Sequence, residues 1–134
     1  MIPANFFNIK STNGLFFYGL DYLRENLDLV RKVLVRPDLE RRTKDALPSV
    51  KVIACSVNHF LYEAISASWR GDLLYTPTSH PLPGINNQCI ILHDAYPFKV
   101  GSMATLKRNL LRWSLSLSRC KVGYINRSDA QPFV

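Results

Sequence analysis

Short apolar runs alternate along this chain with stretches of helical periodicity, and that alternation admits few folds. Residues 31–35, 51–56, 73–76, 88–92 and 121–125 are apolar runs bounded by turn residues. Runs of this kind read as strands buried on both faces. Between them, residues 15–26, 58–70 and 102–119 carry apolar side chains at helical spacing, with Phe16, Leu20, Leu23 and Leu27 in the first. Strands alternating with helices of this length imply an α/β fold, a mostly parallel sheet with helices on both faces. The 134 residues suffice for one domain, burying about two-thirds of its unfolded surface. A short strand over 5–10 precedes the turn Ser11-Thr12-Asn13-Gly14. Residues 37–48, polar and with two prolines, form a surface loop or a short irregular helix.

The two later helices carry sharper expectations. Asn58 is placed to cap helix 58–70, whose Leu61, Ala64, Ile65 and Ser68 share one side, and Gly71 marks its stop. In helix 102–119, Met103, Leu106, Leu110, Trp113 and Leu117 fall in one sector at about 100° per residue and are assigned to the core. Arg108, Arg112 and Arg119 fall roughly opposite, with Leu115 among them. That face suits either plain solvent or an anionic membrane surface.

His93-Asp94 is the leading candidate for chemistry. The pair follows the 88–92 strand directly and precedes Ala95-Tyr96-Pro97-Phe98, which cannot continue a strand. In open parallel sheets, ligands sit just beyond the carboxyl ends of the strands. An imidazole there can donate to a hydroxyl or a phosphate, or move a proton near neutral pH. Asp94 can orient that ring or cap the following turn.

Charge and cysteine usage narrow the function classes. A net charge of +7 asks for an anionic partner (nucleic acid, acidic lipid or a phosphorylated small molecule) or else marks a basic solvated surface. No nucleic-acid signature accompanies it, so no nucleic-acid partner is expected. Cys55, Cys89 and Cys120 are spaced too widely for a metal or redox pattern and read as buried free thiols of a reducing compartment. No His, Asp, Glu or Cys set has ligand spacing, so neither metal nor cofactor is expected. No run approaches the roughly 18–20 apolar residues of a membrane span, and the N-terminus lacks a secretory signal. A cytoplasmic chain, soluble or peripheral at the inner face of the membrane, is expected.

One ordered series of segments goes further. Gly71-Asp-Leu-Leu-Tyr-Thr-Pro77, Pro81-Leu-Pro-Gly84, Cys89-Ile-Ile-Leu-His-Asp-Ala-Tyr-Pro97, Leu106-Lys-Arg-Asn-Leu-Leu-Arg112 and Val122-Gly-Tyr-Ile-Asn-Arg-Ser128 occur in that order. The series resembles the amino-terminal domain of glycosyltransferase family 4, GT-B enzymes that move a sugar from a nucleotide diphosphate to an acceptor. Over residues 71–128 the likeness is clearest. Before Gly71 it rests on the strand, glycine loop and helix around Gly14.

The resemblance implies a Rossmann-like sheet and a single partial domain over 1–134. It gives His93 and Asp94 catalytic roles beside the transferred sugar. Asn13 and Gly14 correspond to the family's glycine-rich turn, where a helix N-terminus meets phosphate or acceptor, although this chain offers one glycine there. Asn58 and His59 contact the acceptor or cap the helix, and Ser128 matches the family's serine after the last strand. The family's donor site lies in a second domain with two glutamates seven residues apart, a pair this chain lacks. The expectation is therefore the acceptor-side part of a glycosyltransferase, inactive alone. Its partners are a nucleotide-sugar donor held by a second domain, a glycan or lipid-linked acceptor, and an anionic membrane surface. The contrasting class is a non-catalytic basic α/β module for an anionic partner.

Overall fold

The structure, a computed structural model, describes residues 2–78, 81–82, 84–85, 87–92, 103–117 and 119–124. In chain order the elements are β1 (Ile2–Asn5), α1 (Gly14–Glu25), β2 (Val30–Val35), a 3-10 turn (Pro37–Leu39) running into α2 (Glu40–Ala46), β3 (Lys51–Ala54) and α3 (Val57–Arg70). There follow β4 (Leu74–Thr76), β5 (Asn87–Leu92), α4 (Ala104–Leu117) and β6 (Arg119–Tyr124). Six strands form one sheet in the order β3-β2-β1-β4-β5-β6, and every neighbouring pair is parallel. The fold is the α/β, Rossmann-like arrangement expected from the alternation.

Both faces of the sheet are covered, which is why its strands read as unbroken apolar runs. Along β2, Val33 and Val35 pack with Phe16, Leu20 and Leu23 of α1 and with Leu39 and Leu47 around α2. Leu34, between them, points to the other face and packs with Cys55 and Phe60. That is the two-residue alternation of a strand. Ala64 of α3 meets Leu74 and Ile85 on the same second face. These clusters put α1 and α2 on one face and α3 on the other, as right-handed crossovers require.

Most parallel crossovers carry a helix. Among the described residues between β4 and β5 none is helical, and one side chain ties Leu82 and Ile85 to the sheet. Gln88 is fully buried. Its Oε1 accepts from the Leu82 N–H at 2.9 Å, and its Nε2 donates to the carbonyls of Leu82 and Ile85 at 2.9 and 3.1 Å. Leu82 and Ile85 thereby pack beneath α3.

Several sequence expectations are corrected. The first strand ends at Asn5 and does not span 5–10, because Phe6 and Phe7 leave the sheet to fill opposite faces. Phe6 closes on α1 so tightly that a Cβ on Gly19 would lie 2.6 Å from its ring. Ser56, not Asn58, caps α3, with its Oγ accepting from the His59 N–H at 3.2 Å. The buried side of α3 is Phe60, Ala64 and Ala67, while Leu61 and Ile65 stand half exposed. Among the described side chains of α4 the buried ones are Ala104 and Leu111, and Met103, Leu106 and Trp113 are about half exposed instead of forming the core. The helix ends at Leu117, so Arg119 belongs to β6 and not to an arginine face. Gly71 ends α3 as expected, at φ 75°, with its own N–H and that of Asp72 returning to the last carbonyls in a Schellman turn.

Candidate functional site

Strand order reverses direction between β1 and β4. At such a point the connections leave on opposite faces and open a crevice at the carboxyl edge. Here the edge is built by residues 6–13 after β1, Arg36 after β2, Cys55 and Ser56 with the start of α3 after β3, and Pro77 and Thr78 after β4.

Asn5 fixes the floor. Its side chain is fully buried at the last position of β1. Its Oδ1 accepts from the Phe7 N–H at 3.0 Å, and its Nδ2 donates to Thr76 Oγ1 at 3.3 Å. One amide thus turns the chain out of β1 and clamps it to β4. The Phe7 ring stacks on Phe60 at 4.5 Å and 9°, and the Arg36 guanidinium lies 4.8 Å from its centroid. Arg36 Nε donates to the Phe7 carbonyl at 2.8 Å. A guanidinium held on a ring and a carbonyl keeps further N–H groups for an anion or a hydroxyl.

Asn13 and Gly14 sit on the same edge. Asn13 caps α1, its Oδ1 accepting from the Phe16 N–H at 3.2 Å. Gly14 opens the helix with a negative φ, and a Cβ there would meet nothing within 4 Å. Its lack of a side chain is not required by the fold. It leaves the first turn open to close approach by a ligand.

Asn58 and His59 lie in the first turn of α3, both exposed. His59 Nε2 is 3.4 Å from Glu63 Oε1, and Glu63 is also bonded to Lys32 from β2. Burial pushes the Glu63 carboxyl up, but the bonds and charges of Lys32 and His59 outweigh it and hold the group below the usual range. Cys55 nearby is raised, by burial first and then by Glu63, which makes it a poor nucleophile. Thr78 is buried, and its Oγ1 has no hydrogen-bond partner among the described residues.

His93, Asp94 and Ser128 lie outside the described residues; β5 ends at Leu92. Of the arginine face, Arg108 is half-buried and bonded to Thr105 Oγ1 at 3.3 Å, while Arg112 is exposed. Among the described residues, no three His, Cys, Asp or Glu side chains gather as a metal would need, and no helix is long and apolar enough to cross a membrane.

Sequence reasoning missed Asn5, Arg36, Ser56, Thr76 and Thr78. Arg36 was open to the same argument as His93, since it follows a strand directly. Asn5 carried the signal of a lone amide beside an apolar run. At the opposite edge, Tyr75 and Cys89 line a cavity of about 40 Å³ with Ile2, Leu29 and Leu73. Burial raises both groups, Tyr75 strongly, which leaves them neutral and away from the strand tips. No protein-family model, curated protein or solved structure matches this chain.

Proposed function

We propose that the chain is the acceptor-side part of a glycosyltransferase that moves a sugar from a nucleotide diphosphate to a glycan or lipid-linked acceptor. The observation that carries the reading is the strand order, which brings the tips of β1 and β4 together at the carboxyl edge. Uncharged donors and the Arg36 guanidinium line that edge: Asn13, the open first turn at Gly14, Asn58, His59 and Thr78. Sugar hydroxyls are both donors and acceptors, and neutral side chains and backbone amides serve them better than carboxylate clusters. His93 and Asp94 enter as the catalytic pair through the family resemblance, with Ser128 as a further acceptor contact. Holding the donor diphosphate falls to a second domain, so the polypeptide alone binds acceptor without transferring sugar. The reading carries a cytoplasmic location. Any contact with an anionic membrane surface would run through Arg108 and Arg112.

Ligand-observed NMR on the 134-residue chain tests this. Short glycans should show saturation transfer that Arg36→Ala and Asn13→Ala weaken by about tenfold, roughly one good hydrogen bond. Steeply salt-dependent binding of oligonucleotides, with none of glycans, would favour the basic-module reading. Turnover of a UDP- or GDP-sugar by this polypeptide alone would refute its dependence on a second domain.

A further inference from the structure

The outward side of α3 is apolar. Phe60, Ala64 and Ala67 are its buried residues. At about 100° per residue the side opposite them carries Asn58, Tyr62, Ile65 and Trp69, with Leu61 beside Ile65. Leu61, Tyr62, Ile65 and Trp69 are 46%, 68%, 51% and 88% exposed. Large apolar side chains gathered in one water-facing patch mark an interaction site, as singly scattered ones do not. Charge then excludes several occupants. By the same helical phase His59, Glu63 and Arg70 fall on the flank away from Leu61. Glu63 is bonded to Lys32 and His59, and Arg70 to Asp72. The patch therefore offers no cation to the phosphates of nucleic acid. It lacks the Lys and Arg that hold an interfacial helix on anionic lipid, and it has nothing to pair with an acidic protein. An uncharged apolar face suits another uncharged apolar face, and a second copy of the chain supplies one.

We propose that α3 packs on α3 of a second copy, antiparallel, across a two-fold axis. The spacing of the outward row carries the proposal. Positions 58, 62, 65 and 69 are separated by four, three and four residues, the seam of paired helices. That series reads the same in both directions, so the face is complementary to itself, as an isologous contact requires. Tyr62 meets the second copy's Ile65, and Trp69 meets its Asn58. The same axis keeps each flank on its own side. It thereby brings the second copy's Leu61 over an open concavity of about 310 Å³ lined by Ile65, Ser68, Trp69, Gly84 and Ile85. On each copy a projecting leucine faces a hollow. One helix pair buries less than the roughly 800 Å² per partner of tight complexes, so the dimer is a micromolar one. The net charge of +7 on each copy opposes pairing, and salt screens it beyond about 8 Å at physiological ionic strength. Dimerisation therefore strengthens with added salt. The inference does not rest on the carbohydrate reading, since only the Asn58 end of the face approaches the strand tips.

Sedimentation equilibrium of the 134-residue chain across the micromolar range tests this. A monomer–dimer equilibrium is expected, shifted toward dimer by added sodium chloride. Tyr62→Lys and Ile65→Glu, both at exposed positions, should each weaken dimerisation about tenfold or more, with far-ultraviolet circular dichroism unchanged. Mixing the two variants in equal amounts should restore dimers to within about threefold of the unaltered chain, because lysine then meets glutamate across the axis while the native pair persists beside it. A parallel pairing would set position 62 against position 62 and would gain nothing from the mixture. A chain that stays monomeric throughout the range would overturn the proposal. So would dimers indifferent to both substitutions, dimers that weaken with salt, or variants that gain nothing on mixing.

Discussion

Asn5 and Thr76 are joined side chain to side chain, Nδ2 to Oγ1 at 3.3 Å, across 71 residues of sequence. This bond ties β1 to β4 where strand order reverses, and it is fully buried. Asn5→Ala removes it and also orphans the Phe7 N–H. A loss of about 2–3 kcal/mol of unfolding free energy is expected in urea. Thr76→Val should cost about 1–2 kcal/mol, and the double variant less than the sum of the two. Strict additivity would deny the clamp.

Gln88 makes a second test of buried amide chemistry. Gln88→Leu keeps the volume but strands one backbone N–H and two carbonyls of the β4–β5 connection. The cost should be about 2–4 kcal/mol. Hydrogen exchange at the Leu82 amide should accelerate well beyond that at the Leu34 amide in the same variant. Uniform acceleration would mean that the loop is held by something else.

The pair Lys32 and Glu63 makes stability depend on pH. The native Glu63 carboxyl is held below its ordinary value, so the unfolded chain binds more protons and stability rises with pH across that range. Its contribution is complete above the ordinary glutamate value of about 4.3 and fades as pH falls through the lowered native value. Glu63→Gln should flatten the acid limb of a melting-temperature profile. Lys32→Met alone should cost about 2–3 kcal/mol, because it leaves a largely buried carboxylate with only the exposed His59 beside it, and Lys32→Met with Glu63→Leu much less.

Gly14 separates structural from functional roles. Since an added Cβ meets open space in a helical first turn, Gly14→Ala should raise stability by about 0.5–1 kcal/mol. If an acceptor approaches that turn, the same variant should weaken glycan binding about tenfold. Unchanged binding would make Gly14 only a helix start.

How much of this could be read beforehand follows from what each pattern encodes. Parallel strands announced themselves because burial on both faces leaves no polar alternation, as in Val33-Leu34-Val35. Helix phase was less legible. Leu61 and Ile65, like Met103 and Leu106, are apolar at helical spacing without facing the sheet, and periodicity alone cannot tell a core stripe from a second apolar face. The cap of α3 was misassigned by two residues because Ser56 and Asn58 are both good caps. The strand's end at Ala54 decided between them. At the site, Asn13 and Gly14 were visible as turn chemistry. Asn5 and Thr76 were not, because their partnership depends on strand order.

The most direct test maps acceptor binding residue by residue, by two-dimensional amide NMR of the isotope-labelled chain titrated with a short glycan. Perturbed amides should gather at Phe7, Asn13, Gly14, Ser56 and Thr78, on the edge where β1 and β4 end. Perturbations gathered instead at Leu29 and Leu73, on the opposite edge, would contradict the account.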